Sequence, residues 1–329
     1  MRGAIAIVIA IAASACGPSD AARSDASAPR VVRDADATAR NAGCVSCHRE
    51  TAERWRESLH ARAFTDAGFA AAFASEPEPF CQGCHAPESV PTDPQDPDAA
   101  IGVACITCHA SIDMGTAGGH ATPRAPIGDQ VCAACHEFGF PDGGGAMQTT
   151  VTEHAQSPFA ARSCIDCHMP SEAGHRDHGF HASRDPTLLR SAIAIEAHRD
   201  GPERVVVHLR LGEVGHAFPT GDMFRRVVVY GQAVDAHGVA VAADAVVFDR
   251  GLLDEGDRVD ASAAFDVRLG APGRPREQSV TLELPGAAAW PVKWSVAYQR
   301  IEPIGHDEDE ALLAEIELGG GTLLPTKLR

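Results

Sequence analysis

Lysine is almost missing from this chain of 329 residues. Of its 28 basic residues only Lys293 and Lys327 are lysines, so no lysine amine can ligate a metal or react in residues 1–185. Cysteine is absent after Cys167, although the chain holds 11, which confines any thiol chemistry to the first half. Tyrosine occurs only at Tyr230 and Tyr298, so that same half has no phenol. A positive balance is lacking too. The formal net charge is −17, and nucleic-acid phosphates require a basic footprint that this chain does not offer. The apolar run at 4–13 falls short of the roughly 20 residues that a membrane-spanning helix needs.

That run is preceded by Arg2 and followed by small residues, the layout of a secretory signal over residues 1–15. "ASAC" resembles a bacterial lipobox, with Cys16 lipidated after cleavage, although Ala13 stands where leucine is usual. The alternative is ordinary cleavage after Ala15, which would leave Cys16 as a free thiol. Either way the chain is expected to be exported, to the periplasm or the outer membrane and cell surface, with a lipid anchor on Cys16. Residues 16–40 are rich in Ala, Ser, Asp and Arg. Such a segment buries too little apolar surface to offset its ordering entropy, and it reads as a flexible tether.

One short pattern then recurs five times: CVSCH at 44–48, CQGCH at 81–85, CITCH at 105–109, CAACH at 132–136 and CIDCH at 164–168. Cys-x-x-Cys-His is the attachment motif of covalent c-type haem. Each cysteine forms a thioether to one vinyl group, and the following histidine ligates the iron. The implied thioether sites are Cys44, Cys47, Cys81, Cys84, Cys105, Cys108, Cys132, Cys135, Cys164 and Cys167. The implied proximal ligands are His48, His85, His109, His136 and His168, hence five covalently bound haems. A single Cys-x-x-Cys could be half a zinc site, a redox dithiol or a disulfide. Five copies with histidine always in the same place are none of these. Haem of this type is attached outside the cytoplasm, which agrees with the export signal, and Cys16 is the one cysteine left over. The motifs are 37, 24, 27 and 32 residues apart, too little protein per haem for a conventional core. Short helices and loops wrapping macrocycles are expected, with a helix over 51–64 and loops at 87–102 and 141–146.

A second strong axial ligand suits an iron to electron transfer, whereas an open site admits substrate. Sixteen histidines leave eleven beyond the proximal five. His198 and His208 lie in strand-like runs, His237 in a hairpin turn and His306 in an acidic loop, all of which favour structural or solvated roles. His60, His120, His154 and the cluster His175, His178 and His181 lie among the haem motifs and are expected near iron. Met114, Met147 and Met169 are the other conventional donors there, but Met169 directly follows His168 and cannot cap the same haem from the far side.

The haem region resembles the multihaem c-type cytochromes related to the nitrifier tetrahaem cytochrome c, the partner of hydroxylamine oxidoreductase. WRESLHARAF is similar to a Trp-x-x-Ser-x-His-Ala segment that follows the first haem, which points to His60 as a distal ligand. GVACITCH and CIDCHMP resemble the third and last haem segments, and DHGFHASRDPTLL resembles a His-x-Phe segment that points to His178. VGHAFPTGDMFRR is similar to a Gly-His-x-x-Pro-Thr-Gly signature of an attached β-domain and points to His216. The resemblance covers about 41–230. The family has four haems, so ligand pairing does not transfer. The distal ligands expected are His60, His216, His178, His120 and His154.

From Leu188 onward alternating and β-branched runs separated by Gly, Pro and Asp predict seven or eight antiparallel strands. The expected architecture is multidomain. A haem-packed, mostly α and irregular cytochrome domain occupies 41–186, and an all-β antiparallel sandwich capping the haem array occupies 187–329. The expected function is electron relay through closely spaced, mostly bis-histidine haems. Its partners would be redox proteins with a basic docking patch, steered by the acidic surface. The alternative is a multihaem oxidoreductase with one five-coordinate haem acting on a small nitrogen or sulfur compound. Against it stand the lack of Cys-x-x-Cys-Lys, which pentahaem nitrite reductases use, and the lack of a tyrosine in 1–185 for a hydroxylamine-oxidoreductase-type cross-link. A haem-decorated adhesin led by the β-domain is a third reading.

Overall fold

The structure, a computed structural model, describes residues 37–90, 93, 95–109, 128–139, 145–172, 174–254, 259–301 and 312–325. The expectations for the signal, the tether as far as residue 36, Cys16, Met114, His120 and His306 therefore lie outside the described residues.

Up to residue 176 the chain forms short helices: α1 (Ala37–Cys47), α2 (Arg49–Glu57), α3 (Ala67–Ser75), α4 (Pro79–His85), α5 (Cys105–His109), α6 (Asp129–His136), α7 (Thr150–Ala155) and α8 (Cys164–His168). Two small hairpins join them, β1 (Glu137–Gly139) with β2 (Ala146–Thr149) and β3 (Ser171–Glu172) with β4 (His175–Arg176). A 3-10 turn at Ala99–Ile101 interrupts the stretch expected to be loop. The apolar cluster here is small, Ala37, Trp55, Ala104 and Ile106. Ala37 is fully buried in it, so residues 37–40, expected to belong to a tether, are helical and packed.

The helix expected over 51–64 stops at Glu57. Ser58 takes an extended ψ of 162° and its hydroxyl donates to the Trp55 carbonyl at 2.6 Å. That local bond competes with the helical ladder, and His60 falls in the turn beyond it.

From α9 (Pro186–Ser191) the chain becomes strands: β5 (Ile193–Arg199), β6 (Arg204–Leu211), β7 (Arg225–Val234), β8 (Ala240–Phe248), β9 (Arg250–Asp254), β10 (Val259–Asp266), β11 (Glu277–Glu283), β12 (Val292–Ile301) and β13 (Leu312–Leu323). They form an antiparallel three-stranded sheet, β11-β6-β5, a four-stranded sheet, β13-β12-β7-β8, and the hairpin β9-β10. Strand β6 alternates Val205, Val207, Leu209 and Leu211 inward, as period-2 side chains must when one face is covered. Those residues meet Val227, Val229, Val292, Val296 and Phe248 of the other sheet in one core. Asp235 closes the β7-β8 turn by accepting from the amides of His237 and Val239, and Gly238 there has φ +80°.

Strand β13 escapes sequence reading because it contains Gly319–Gly321, a run that looks like a breaker. A Cβ on Gly320 would lie 2.9 Å from the Trp294 carbonyl, and one on Gly319 would lie 3.1 Å from Ile195. The glycines are there because neighbouring groups pass closely over the strand.

Candidate haem-binding site

All five Cys-x-x-Cys-His motifs are helical. They end α1 (with His48 next in the chain), α4 and α6, and they make up the whole of α5 and α8. Positions i, i+3 and i+4 share one helix face, so each short helix presents two thiols and one imidazole on the same side. None of the ten described cysteines is in a disulfide. This donor set fits covalent c-type haem.

The motif helices dock on one another in a repeated way. Asn41, three residues before Cys44, accepts the Cys105 amide at 3.0 Å. Asp129, three residues before Cys132, accepts the Cys164 amide at 3.0 Å. The first motif thus caps the third, and the fourth caps the fifth. Cys84 and Cys135 lie beside each other, which brings the second motif next to the fourth.

Three histidine pairs stand at one spacing. Ring centroids are 6.3 Å apart for His60 and His136, 6.4 Å for His109 and His178, and 6.2 Å for His168 and His216. His85, by comparison, stacks directly on Phe69 at 3.7 Å and 8°. A metal–imidazole bond of about 2.0 Å on each side of one ion places the two centroids about 6.3 Å apart. The spacing therefore fits an iron between each pair. In each pair one member is a proximal histidine and the other is His60, His178 or His216.

The other ring nitrogens support this. Nδ1 lies 2.8 Å from the Ala63 carbonyl in His85, and 2.9 Å from the His181 carbonyl in His168. It lies 2.9 Å from the Arg176 carbonyl in His178 and from the Ala217 carbonyl in His216. A carbonyl can only accept, so Nδ1 carries the proton and the Nε2 lone pair is left for a metal. His60 Nδ1 is buried with no hydrogen-bond partner. Burial, with His136, His168 and His85 nearby, pushes the His60 imidazole down to about 4. Burial pushes His216 down to about 4 as well. Both rings are neutral at pH 7, the form that ligates.

The backbone holds His60 through a second segment. Val103 donates its amide to the His60 carbonyl at 2.8 Å, and the Trp55 indole donates to the Val103 carbonyl at 2.9 Å. Gly102, at φ +59°, passes so close that a Cβ there would lie 2.4 Å from the His60 carbonyl oxygen. Trp, Ser and His in WRESLH and Gly in GVAC are thus parts of one joint.

His216 sits in the loop between β6 and β7, and α7 grips that loop. Glu153, fully buried, accepts from the Ala217 amide at 3.1 Å and the Thr220 hydroxyl at 2.7 Å. It also accepts from the Thr149 hydroxyl at 2.7 Å and from Arg268 at 2.6 Å. Burial alone would raise the Glu153 carboxyl, but the Arg268 charge and these hydrogen bonds bring it below its usual range. Arg268 also donates to the Pro219 carbonyl at 3.0 Å, and Arg250 to the Gly221 carbonyl at 3.2 Å and to Met147. A Cβ on Gly215 would lie 2.7 Å from the His154 ring. His154 packs against this loop and faces no proximal histidine at the common spacing among the described residues. Nothing in the sequence around Glu153 marked it; its role comes from contacts 64 to 115 residues away.

Other histidines go elsewhere. His181 lies 3.0 Å from both Asp177 and Asp185, and His175 is exposed. His198 stacks on His208, and Ser279 lies 2.6 Å from His208 Nδ1. Among the described residues no histidine faces His85 at the common spacing.

Residues 43–110, which carry the first three motifs together with Trp55, His60 and Gly102, match the family Cytochrome c554 and c-prime. The fold is similar to that of a penta-heme cytochrome c552 from Thermochromatium tepidum, with a TM-score of 0.63 at 20% identity over 84% of this chain and 97% of that chain. A glycosyl hydrolase family 2 member from Bacteroides cellulosilyticus matches 40% of this chain and 16% of that chain at 10% identity, but its TM-score of 0.16 carries no argument. No curated protein matches the chain in sequence.

Proposed function

We infer that this chain, a multihaem c-type cytochrome by its motifs and its fold, carries five haems and relays electrons among them. We assign His60, His178 and His216 as the distal ligands opposite His136, His109 and His168. The observation that carries the reading is the common 6.2–6.4 Å spacing of these three pairs. Bound haem supplies one-electron exchange at iron, and two imidazoles per iron hold its geometry nearly constant between oxidation states. The protein holds the His60 and His216 rings neutral and keeps the Nδ1 protons of His85, His168, His178 and His216 on backbone carbonyls. Its capped motif pairs, first with third and fourth with fifth, keep neighbouring motifs close. Export, the lipid anchor on Cys16 and a partner with a basic patch complete the proposal, supported by the N-terminal sequence and the −17 charge.

One observation favours a second reading, in which one haem is open to a small nitrogen or sulfur compound. His85 stacks on Phe69 rather than facing a described histidine. Electron paramagnetic resonance of the oxidised holoprotein separates the two. A wholly low-spin spectrum rejects the open site, and one high-spin iron rejects a fully bis-histidine relay. In His216→Ala one low-spin iron is expected to become high-spin, and an unchanged spectrum would remove His216 from the ligand set.

A further inference from the structure

We propose that Glu153 is the positioning residue of the His216 ligand and that its carboxylate sets the potential of the iron between His168 and His216. The inference rests on the ligand assignment above. It starts from a buried carboxylate with an unusually full set of donors. Each oxygen accepts two hydrogen bonds: Thr149 and Arg268 on one, Ala217 and Thr220 on the other. Three of those four donors lie in the strand-rich part of the chain, although Glu153 belongs to helix α7. Two of the three, the Ala217 amide and the Thr220 hydroxyl, are in the loop that bears His216.

The geometry runs from Glu153 to the ring in two peptide units. The amide joining His216 to Ala217 donates its N–H to Glu153 at 3.1 Å. The next amide accepts from His216 Nδ1 at its carbonyl, at 2.9 Å, and donates its N–H to the Leu269 carbonyl, at 2.9 Å. Ala217 is therefore pinned at both of its peptide planes, and the carbonyl that orients the imidazole cannot turn. The result is a ring only 13° from parallel to His168. His154, next to Glu153 on α7, closes the loop from the Gly215 side.

Position and charge act together. A fixed negative charge one residue from a ligand, shielded from water, favours the more positive oxidised iron. Arg268 and the buried Arg250 offset that charge, and Asp266 shares Arg268 at 2.6 Å, so the cluster is neutral and loss of the Glu153 charge leaves it positive. Glutamine at 153 keeps an acceptor for the Ala217 amide and removes the charge.

The test is a spectropotentiometric titration of the holoprotein, resolved haem by haem, alongside electron paramagnetic resonance. In Glu153→Gln, one iron is expected to move to higher potential by about tenfold in its oxidised-to-reduced ratio, about 59 mV for one electron. It stays low-spin with altered g values, and Glu153→Asp returns the potential toward the starting value. A residue that merely props the loop would not give a charge-dependent potential. Unchanged potentials and g values in Glu153→Gln would overturn the proposal, while His216→Ala independently reports on the ligand assignment. If Glu153→Gln fails to load haem, Thr220→Val removes one neutralising donor and leaves the carboxylate. The same iron should then move to lower potential, and no movement would refute the role.

Discussion

Replacing Gly102 by alanine tests whether the joint around His60 is rigid. Gly102 has φ +59° and ψ −136°, a region that residues with a Cβ occupy at a cost of about 1–3 kcal/mol. The new Cβ would lie 2.4 Å from the His60 carbonyl oxygen and 2.9 Å from that of Ala61. Both are backbone atoms, so neither can swing aside. Relieving such an overlap costs about another 1–3 kcal/mol. It also strains the Val103 amide bond to His60, and a bond of this kind contributes about 1 kcal/mol. The joint should therefore weaken by about 2–7 kcal/mol. The assay is the low-spin signal of the oxidised holoprotein together with its thermal transition. One iron is expected to lose low-spin character, and the transition to fall by at least about 5 °C. Gly43→Ala is the control, because a Cβ there meets nothing within 4 Å; within helix α1 it should be neutral or slightly stabilising. An alanine at 102 with full low-spin content and a transition within about 1 °C of the parent would refute the account.

Asn41→Ala and Asp129→Ala each remove the acceptor for the first amide of a partner motif, and should destabilise by about 1 kcal/mol apiece. Denaturation of each holoprotein variant checks this, and equal stability in both would show the repeated caps to be idle. Asp222 is held below the usual carboxylate range: burial opposes this, but the Arg225 guanidinium beside it prevails. A depressed carboxyl stabilises the fold above its unfolded value, near 4, and loses that contribution as pH falls through its folded value. Acid unfolding curves of Asp222→Asn should consequently be flatter below about pH 4 than those of the parent; superimposable curves would remove Asp222 from the acid limb.

The haem-attachment residues were legible in full because a five-residue helical pattern carries both thiols and the imidazole. No fold is needed to read i, i+3 and i+4. The strands β5 to β8, β11 and β12 were legible from their alternation, since one face meets a core, and β10 was legible from its sequence pattern. Strand β13 was not, because its glycines answer to Trp294 and Ile195, which are distant in sequence. His60, His178 and His216 were singled out by resemblance, yet nothing in the sequence could pair them with His136, His109 and His168.

The sequence by itself determined the cofactor chemistry, because thioether attachment and proximal ligation are both local. It also determined where helix gives way to strand. Tertiary structure decided which imidazoles face each other, because each facing ring comes from a segment that its partner's motif does not contain. Only the fold could bring Glu153 beneath Ala217, and Gly102 against His60, since those contacts are made by backbones that meet once the chain has closed.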